Sequence, residues 1–180
     1  MNKTQKRGKI MKKSVKISLI TVGVCVLLFG ASAVAYRIIR TQGFANSYTI
    51  NQKEKAQSKV LILTQQSHFK DSVMAKVKDT FEGQPLFIQV QDISTIDNVK
   101  QKDWDCILLI TTVQSSDLPE KAVHFIKKEA NFSKVHLFVT ADSGRWPKKP
   151  KEVDVVTTTS KKSNIDTFSN AINQVIQKND

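Results

Sequence analysis

A run of polar side chains at residues 64–70 is the strongest candidate for chemistry in this sequence of 180 residues. It follows the apolar residues 60–63, which predict a buried strand, and precedes an amphipathic stretch that predicts a helix. Such a strand-to-helix turn can hold a phosphate, because the first N–H groups of a helix lack partners and its dipole favours an anion. The side chains available there are hydroxyls, amides, an imidazole and an ammonium: Thr64, Gln65, Gln66, Ser67, His68 and Lys70.

Alternating apolar and amphipathic stretches after residue 58 predict the elements that position this turn. The predicted strands are largely continuous apolar runs, as expected for buried parallel strands: 60–63, 86–90, 105–113, 135–140 and 153–157. The predicted helices carry apolar residues at helical spacing: 71–81, 118–130 and 165–177. With right-handed crossovers, this order predicts an α/β fold, a three-layer doubly wound sandwich around a five-stranded parallel sheet.

Two further loops should meet the turn 64–70 at one edge of that sheet. Ligands of open parallel sheets bind beyond the carboxyl ends of the strands, where the strand order reverses. The loops 111–118 and 140–146 follow the third and fourth predicted strands and therefore converge there. Their candidate binding residues offer hydroxyl, amide, carboxylate, backbone and aromatic groups: Thr111, Thr112, Gln114, Thr140, Asp142, Gly144 and Trp146.

Residues 103–144, DWDCILLITTVQSSDLPEKAVHFIKKEANFSKVHLFVTADSG, resemble the second half of a flavodoxin-fold domain. In that superfamily a strand with a hydroxyl-rich end leads to a helix of the form l-P-x-x-V-x-x-F-I and then to a strand K-V-x-L-F-V-T. The resemblance covers residues 59–178 and is more like the compact menaquinone-linked protoporphyrinogen oxidase branch than the long-chain flavodoxins. It implies the strand order 2-1-3-4-5, FMN with its phosphate in the turn 64–70, electron transfer, and membrane quinone or a redox protein as partner.

The sequence departs from the family's pattern at two places. The family's phosphate turn ends in Gly-Asn-Thr, where this chain has His68, Phe69 and Lys70. Glycine lets the backbone approach a phosphate at positive φ, so Phe69 is a serious departure that the charges of His68 and Lys70 compensate only in part. The loop 111–118 also lacks the aromatic residue that flavodoxins often place against the flavin. Trp146 is then the aromatic available for stacking, and its alternative is an exposed loop tryptophan that packs on the neighbouring helix.

The N-terminal region predicts a membrane anchor. Residues 17–36 contain no charge, and at about 1.5 Å per residue they span about 30 Å, the thickness of a bilayer's hydrocarbon core. Seven lysines and arginines lie in the tail 1–16, which predicts a cytoplasmic N-terminus, a single-pass anchor or uncleaved signal, a linker at 37–58 and an extracytoplasmic domain. A cleavable signal peptide is the alternative, because small residues lie at 31–35.

Several function classes lack support in the sequence. The formal net charge of +12 is concentrated before residue 41, which topology and anionic lipid explain without nucleic acid. The histidines and cysteines show no metal-ligand spacing, no G-x-S-x-G motif indicates a nucleophilic triad, and Cys25 and Cys106 cannot form an intramolecular disulfide framework. Two classes remain, an FMN-binding electron-transfer protein and a cofactor-free interaction module of the same fold, so the sequence does not decide whether the protein is an enzyme.

Overall fold

The computed structural model describes residues 3–40, 43–114, 117–128 and 132–179. The chain divides into two compact units, Met1–Thr41 and Gln42–Asp180. The first unit contains helix α1, Lys3–Arg40. Its segment Ser18–Ala35 is long and apolar enough to cross a membrane, by length and composition. This N-terminal helix can therefore be a membrane span or a signal anchor.

The second unit alternates strands with helices. Its strands are β1 Tyr48–Ile50, β2 Ser58–Thr64, β3 Leu86–Asp92, β4 Cys106–Thr112, β5 Val135–Thr140 and β6 Asp154–Thr158. Its α-helices are α2 His68–Phe81, α3 Glu120–Lys128 and α4 Ile165–Lys178. The crossover from β3 to β4 contains two 3-10 helices, Ile93–Asn98 and Gln101–Asp103.

The six strands form one mixed sheet in the order β1-β3-β2-β4-β5-β6. The ladders that join β3, β2, β4, β5 and β6 are parallel, whereas β1 pairs antiparallel with β3. The sheet thus differs from the predicted five-stranded, fully parallel one by a sixth strand at the edge. That strand, Tyr48–Ile50, lies inside the predicted linker 37–58, and its three residues are too few to show a period in the sequence.

Asn51 ties the end of β1 to the turn between α2 and β3. Its backbone adopts a φ of 66°, a left-handed conformation that asparagine tolerates better than most residues. Its side-chain Nδ2 donates to the carbonyls of Phe81 and Leu86, both at 2.8 Å, and its Oδ1 accepts from the N–H of Gly83 at 2.7 Å. Three hydrogen bonds of one side chain thus fix the end of a strand that is only three residues long.

Two hydrophobic layers sandwich the sheet. Val60 and Ile62 of β2 belong to the cluster that contains residues of α2 and α4, whereas Leu61 and Leu63 belong to the cluster that contains residues of α3. Successive side chains of a strand point to opposite faces, so this continuous apolar run serves both layers. The order along the sheet reverses beside β2, which places the carboxyl ends of β2 and β4 next to each other.

Candidate functional site

The turn between β2 and α2 is capped by its own serine. Ser67 is the N-cap of α2, and its hydroxyl oxygen accepts a hydrogen bond from the backbone N–H of Lys70 at 3.3 Å. This satisfies one of the N–H groups that a helix start leaves without an intrahelical partner. The hydroxyl that was predicted to bind a phosphate therefore already accepts a hydrogen bond as the N-cap of α2.

Residues 43–45 run across the same edge of the sheet. The N–H of Gln66 donates to the carbonyl of Gly43 at 2.9 Å, and the N–H of Ala45 donates to Oδ2 of Asp92 at 2.7 Å. Burial raises the pKa of Asp92, but hydrogen bonds from Ser94 and the Ala45 N–H outweigh it and hold that pKa below its usual value. These residues tie the segment to the ends of both β2 and β3.

Lys70 points from the first turn of α2 into the sheet and is 1% exposed. Its Nζ donates to Oγ1 of Thr112 at 2.8 Å and to Oε1 of Gln65 at 3.4 Å. The first residue ends β4 and the second follows β2, so the ammonium lies at the place where the strand order reverses. The sequence predicted a charge at a bound phosphate; the structure shows a buried lysine bonded to protein oxygens.

Polar side chains from β4, from β5 and from the turn after β2 form one hydrogen-bonded set with this ammonium. Oε1 of Gln65 also accepts from the hydroxyl of Thr111 at 2.9 Å and from the N–H of Thr112 at 3.3 Å. The hydroxyls of Thr112 and Thr140 are 2.8 Å apart, which joins β5 to the same set. We call these five residues, Gln65, Lys70, Thr111, Thr112 and Thr140, the Lys70 network.

The electrostatics of the network follow from its burial. Removal of the ammonium from water lowers the pKa of Lys70 to about 7, although the nearby carboxylate of Asp71 acts in the opposite direction. The hydrogen bonds of Nζ to Thr112 and Gln65 go to a hydroxyl and an amide, which stabilise a cation less than a carboxylate would. Near neutral pH, both charge states of Lys70 are therefore accessible.

Phe69 lies beside the position at which the flavodoxin pattern has glycine, and it is a core residue here. It is buried in the cluster formed with α2 and α4, and its ring lies 5.7 Å from the ring of Phe168, centroid to centroid. A buried aromatic pair of this kind contributes about 0.5–1.5 kcal/mol beyond its area. The side chain that departs from the phosphate pattern thus anchors the start of α2 to α4.

Trp146 lies in the core layer on the α3 side and is 7% exposed. It lines an apolar cleft of about 480 Å³ together with Leu118, Val123, Ile126 and Phe132. The ring packs on the α3 side, as the packing alternative predicted, but it is buried where that alternative expected an exposed side chain. Stacking on a flavin would require the ring to leave this contact.

The remaining predicted site residues are not among the five residues of the Lys70 network. The hydroxyl of Thr64 donates to the carbonyl of Gln65 at 3.3 Å, and Gly144 makes a turn at a φ of 69°. Four others are exposed: Gln66, His68, Gln114 and Asp142. The structure thus brings together five of the predicted residues in the Lys70 network.

Two comparisons of the sequence with known proteins assign no family to this chain. No protein-family model matches the chain, and no curated protein matches its sequence. A function for the protein therefore has to be inferred from the residues of the site.

Proposed function

We propose that this protein is a membrane-anchored, single-pass binding module whose extracytoplasmic domain has a flavodoxin-like arrangement and works without a cofactor. The observation that carries the proposal is Lys70, whose ammonium fills the crevice at the strand-order reversal and is bonded there by Thr112 and Gln65. A side chain in that place takes up the space and the hydrogen-bonding groups that a ligand phosphate would use.

The fold part of the proposal rests on strand order. Without the edge strand β1, the order β3-β2-β4-β5-β6 corresponds to 2-1-3-4-5, the flavodoxin order. Fold alone does not assign a function, because flavodoxin-like sheets carry many. The burial of Phe69 and Trp146, the two aromatics nearest to the predicted flavin site in sequence, supports the cofactor-free alternative.

FMN binding with electron transfer to a quinone or a redox protein is the second candidate. It is favoured by the convergence of hydroxyls from Thr111, Thr112 and Thr140 beside the start of α2, where a helix dipole attracts an anion. In this candidate Lys70 would exchange its protein partners for the phosphate.

A visible absorbance spectrum decides between the two. The full-length chain, purified in an uncharged polyoxyethylene detergent, is measured before and after addition of FMN and then desalted. The cofactor-free module predicts a colourless protein and an FMN spectrum identical to that of free FMN. Flavin bands that survive desalting, that are lost in Ser67→Ala and that persist in Ser72→Ala, an exposed serine of the same helix, would establish the second candidate and overturn the first.

The location is tested separately. The basic tail predicts that the domain lies outside the cell, so protease treatment of intact cells should remove an epitope tag placed at residue 180. An equal treatment of lysed cells controls for protease access. A tag that resists protease until the cells are opened would place the domain in the cytoplasm and would contradict the extracytoplasmic part of the proposal.

A further inference from the structure

The crossover between β3 and β4 contains 3-10 turns and no α-helix, so no α-helix of this crossover covers that part of the sheet face. Gln89 and Gln91 of β3 pair in register with Leu61 and Leu63 of β2, so they point to the α3 side of the sheet. Both glutamines are partly exposed, although they lie on a strand whose neighbours are apolar. Polar residues on a face that elsewhere forms core indicate that this part of the sheet contacts water or a ligand.

A cavity of about 620 Å³ lies over these two glutamines. We call it the polar trough; its floor contains Gln89 and Gln91, and four lysines line it: Lys53, Lys59, Lys100 and Lys102. Its volume is within the range of about 300–1,000 Å³ that is common for small-molecule sites.

The trough carries an excess of positive charge. Four lysines face two carboxylates, those of Asp103 and Asp105, and Oδ2 of Asp105 already accepts the backbone N–H of Lys59 at 2.9 Å. Within the described parts of the chain, none of the four lysine side chains takes part in an ion pair or a side-chain hydrogen bond. Like charges gathered in one cavity repel one another, and a bound anion offsets this repulsion.

The other groups of the trough suit a hydroxylated body attached to that anion. Amide side chains of Gln89, Gln91 and Asn98 offer both donors and acceptors, as sugar or polyol hydroxyls require. Trp104 also lines the trough, and its ring is stacked on Phe87 at 6.3 Å with an interplanar angle of 12°. The stacking holds an aromatic side chain in place beside the lysines.

We infer that the polar trough binds a phosphate ester of a sugar or polyol, with the lysines bound to phosphate oxygens and the amides to hydroxyls. This inference deepens the proposed function, on which it rests, by naming the ligand class of the binding module. The same chemistry is present in free sugar phosphates, in polyol phosphate polymers and in the glycerophosphate headgroups of anionic lipids.

Calorimetric titration of the full-length chain in the uncharged detergent tests the inference. The probes are fructose 1,6-bisphosphate as a sugar phosphate, glycerophosphoglycerol as a lipid headgroup, inorganic pyrophosphate as a bare anion and sorbitol as a neutral polyol. We expect saturable binding of at least one of the first two probes, weaker binding of pyrophosphate and no binding of sorbitol. The phosphate-ester probe that binds more tightly identifies the source of the ligand.

Paired lysine variants provide the matched control. Lys100→Gln combined with Lys102→Gln should weaken binding at least about tenfold, because each removes a charge-assisted hydrogen bond. Lys127→Gln combined with Lys128→Gln removes the same number of charges from two exposed lysines of α3, neither of which borders the trough. This control variant should leave the affinity unchanged. Both variants are surface changes, so their thermal unfolding should match that of the wild type.

Each result has a defined meaning. Absence of heat with all phosphate probes, or equal affinity of the two double variants, would overturn the inference. Pyrophosphate that binds as tightly as either ester would show that the polyol part of the ligand makes no contribution and would overturn the assignment of a polyol.

FMN also carries a phosphate and a polyol chain, so its titration is repeated with Lys100→Gln/Lys102→Gln. Flavin binding that survives there belongs to the Lys70 network and overturns the proposed function alone.

Discussion

Replacement of Lys70 by methionine should change how the stability of the domain depends on pH. The lysine is 1% exposed, and burial lowers its pKa from 10.5 to about 7. Between these two values the unfolded chain binds a proton that the folded protein does not, so the contribution of Lys70 to stability rises with pH in this window. Below about pH 7 both states are protonated and the full cost of burying the charge remains.

The size of the effect follows from the same pKa values. The lowering from 10.5 to about 7 corresponds to about 5 kcal/mol, at about 1.36 kcal/mol per pH unit. The free energy of unfolding of the wild type, relative to Lys70→Met, should therefore rise by about 2–3 kcal/mol between pH 7 and pH 9. Loss of the hydrogen bonds to Thr112 and Gln65 adds an offset that does not depend on pH, so the slope is the quantity to compare.

Urea unfolding of the full-length chain, followed by tryptophan fluorescence, measures this slope. Both tryptophans, Trp104 and Trp146, lie in the second unit, so the signal reports on the domain that contains Lys70. Lys78→Met is the control, because Lys78 lies on the exposed side of the same helix, with its side chain 50% exposed. A difference between wild type and Lys70→Met that stays constant within about 0.5 kcal/mol from pH 6 to pH 9 would refute the electrostatic account of the network.

Three further changes test the local structure. Ser67→Ala removes the N-cap hydroxyl of α2 and should cost about 1 kcal/mol in urea unfolding; Ser67→Asp, which keeps an acceptor, should recover most of it. Asn51→Ala should cost more than Asn51→Gly, since glycine accepts the φ of 66° while both lose the three hydrogen bonds; equal costs would contradict a role for the backbone conformation. Burial raises the pKa of the Cys106 thiol to about 12, so in a Cys25→Ser background a maleimide should label Cys106 only after unfolding, and rapid labelling of the folded protein would contradict its burial.

The sequence predicted the central elements because their signals are long and one-sided. The apolar run in β4 is buried along most of its length, and no polar residue interrupts it before Thr111. In α2, Val73, Val77 and Phe81 recur at helical spacing and all are buried. Strand β1 gave no such signal, because three residues are too few to show a period; its pairing with β3 and the hydrogen bonds of the adjacent Asn51 are seen only in the structure.

The state of Lys70 was the main feature that the sequence did not predict, although a signal was present. The apolar stripe of α2 continues backward at helical spacing from Val77 through Val73 to Lys70, so the lysine lies on the buried face. A charged residue at that place is ordinarily assigned to solvent, because lysine is almost never fully buried. The oxygens that accept hydrogen bonds from the ammonium belong to Thr112 and Gln65, which lie on two other segments, so the sequence pattern of α2 does not reveal them.

The charge state of Lys70 also separates the two places where an anion could bind this protein. At pH 8 the lysine is mostly neutral, because its pKa is about 7. A phosphate held in the Lys70 network would favour the charged form, so its binding would take up a proton from solution, and the measured heat would differ between buffers of different ionisation enthalpy. Binding in the polar trough leaves Lys70 and its partners in place and involves no such uptake. A phosphate titration at pH 8 in two buffers therefore separates the sites: buffer-dependent heat that is lost in Lys70→Met places the anion in the crevice, whereas heat that is the same in both buffers and is weakened in Lys100→Gln/Lys102→Gln places it in the trough.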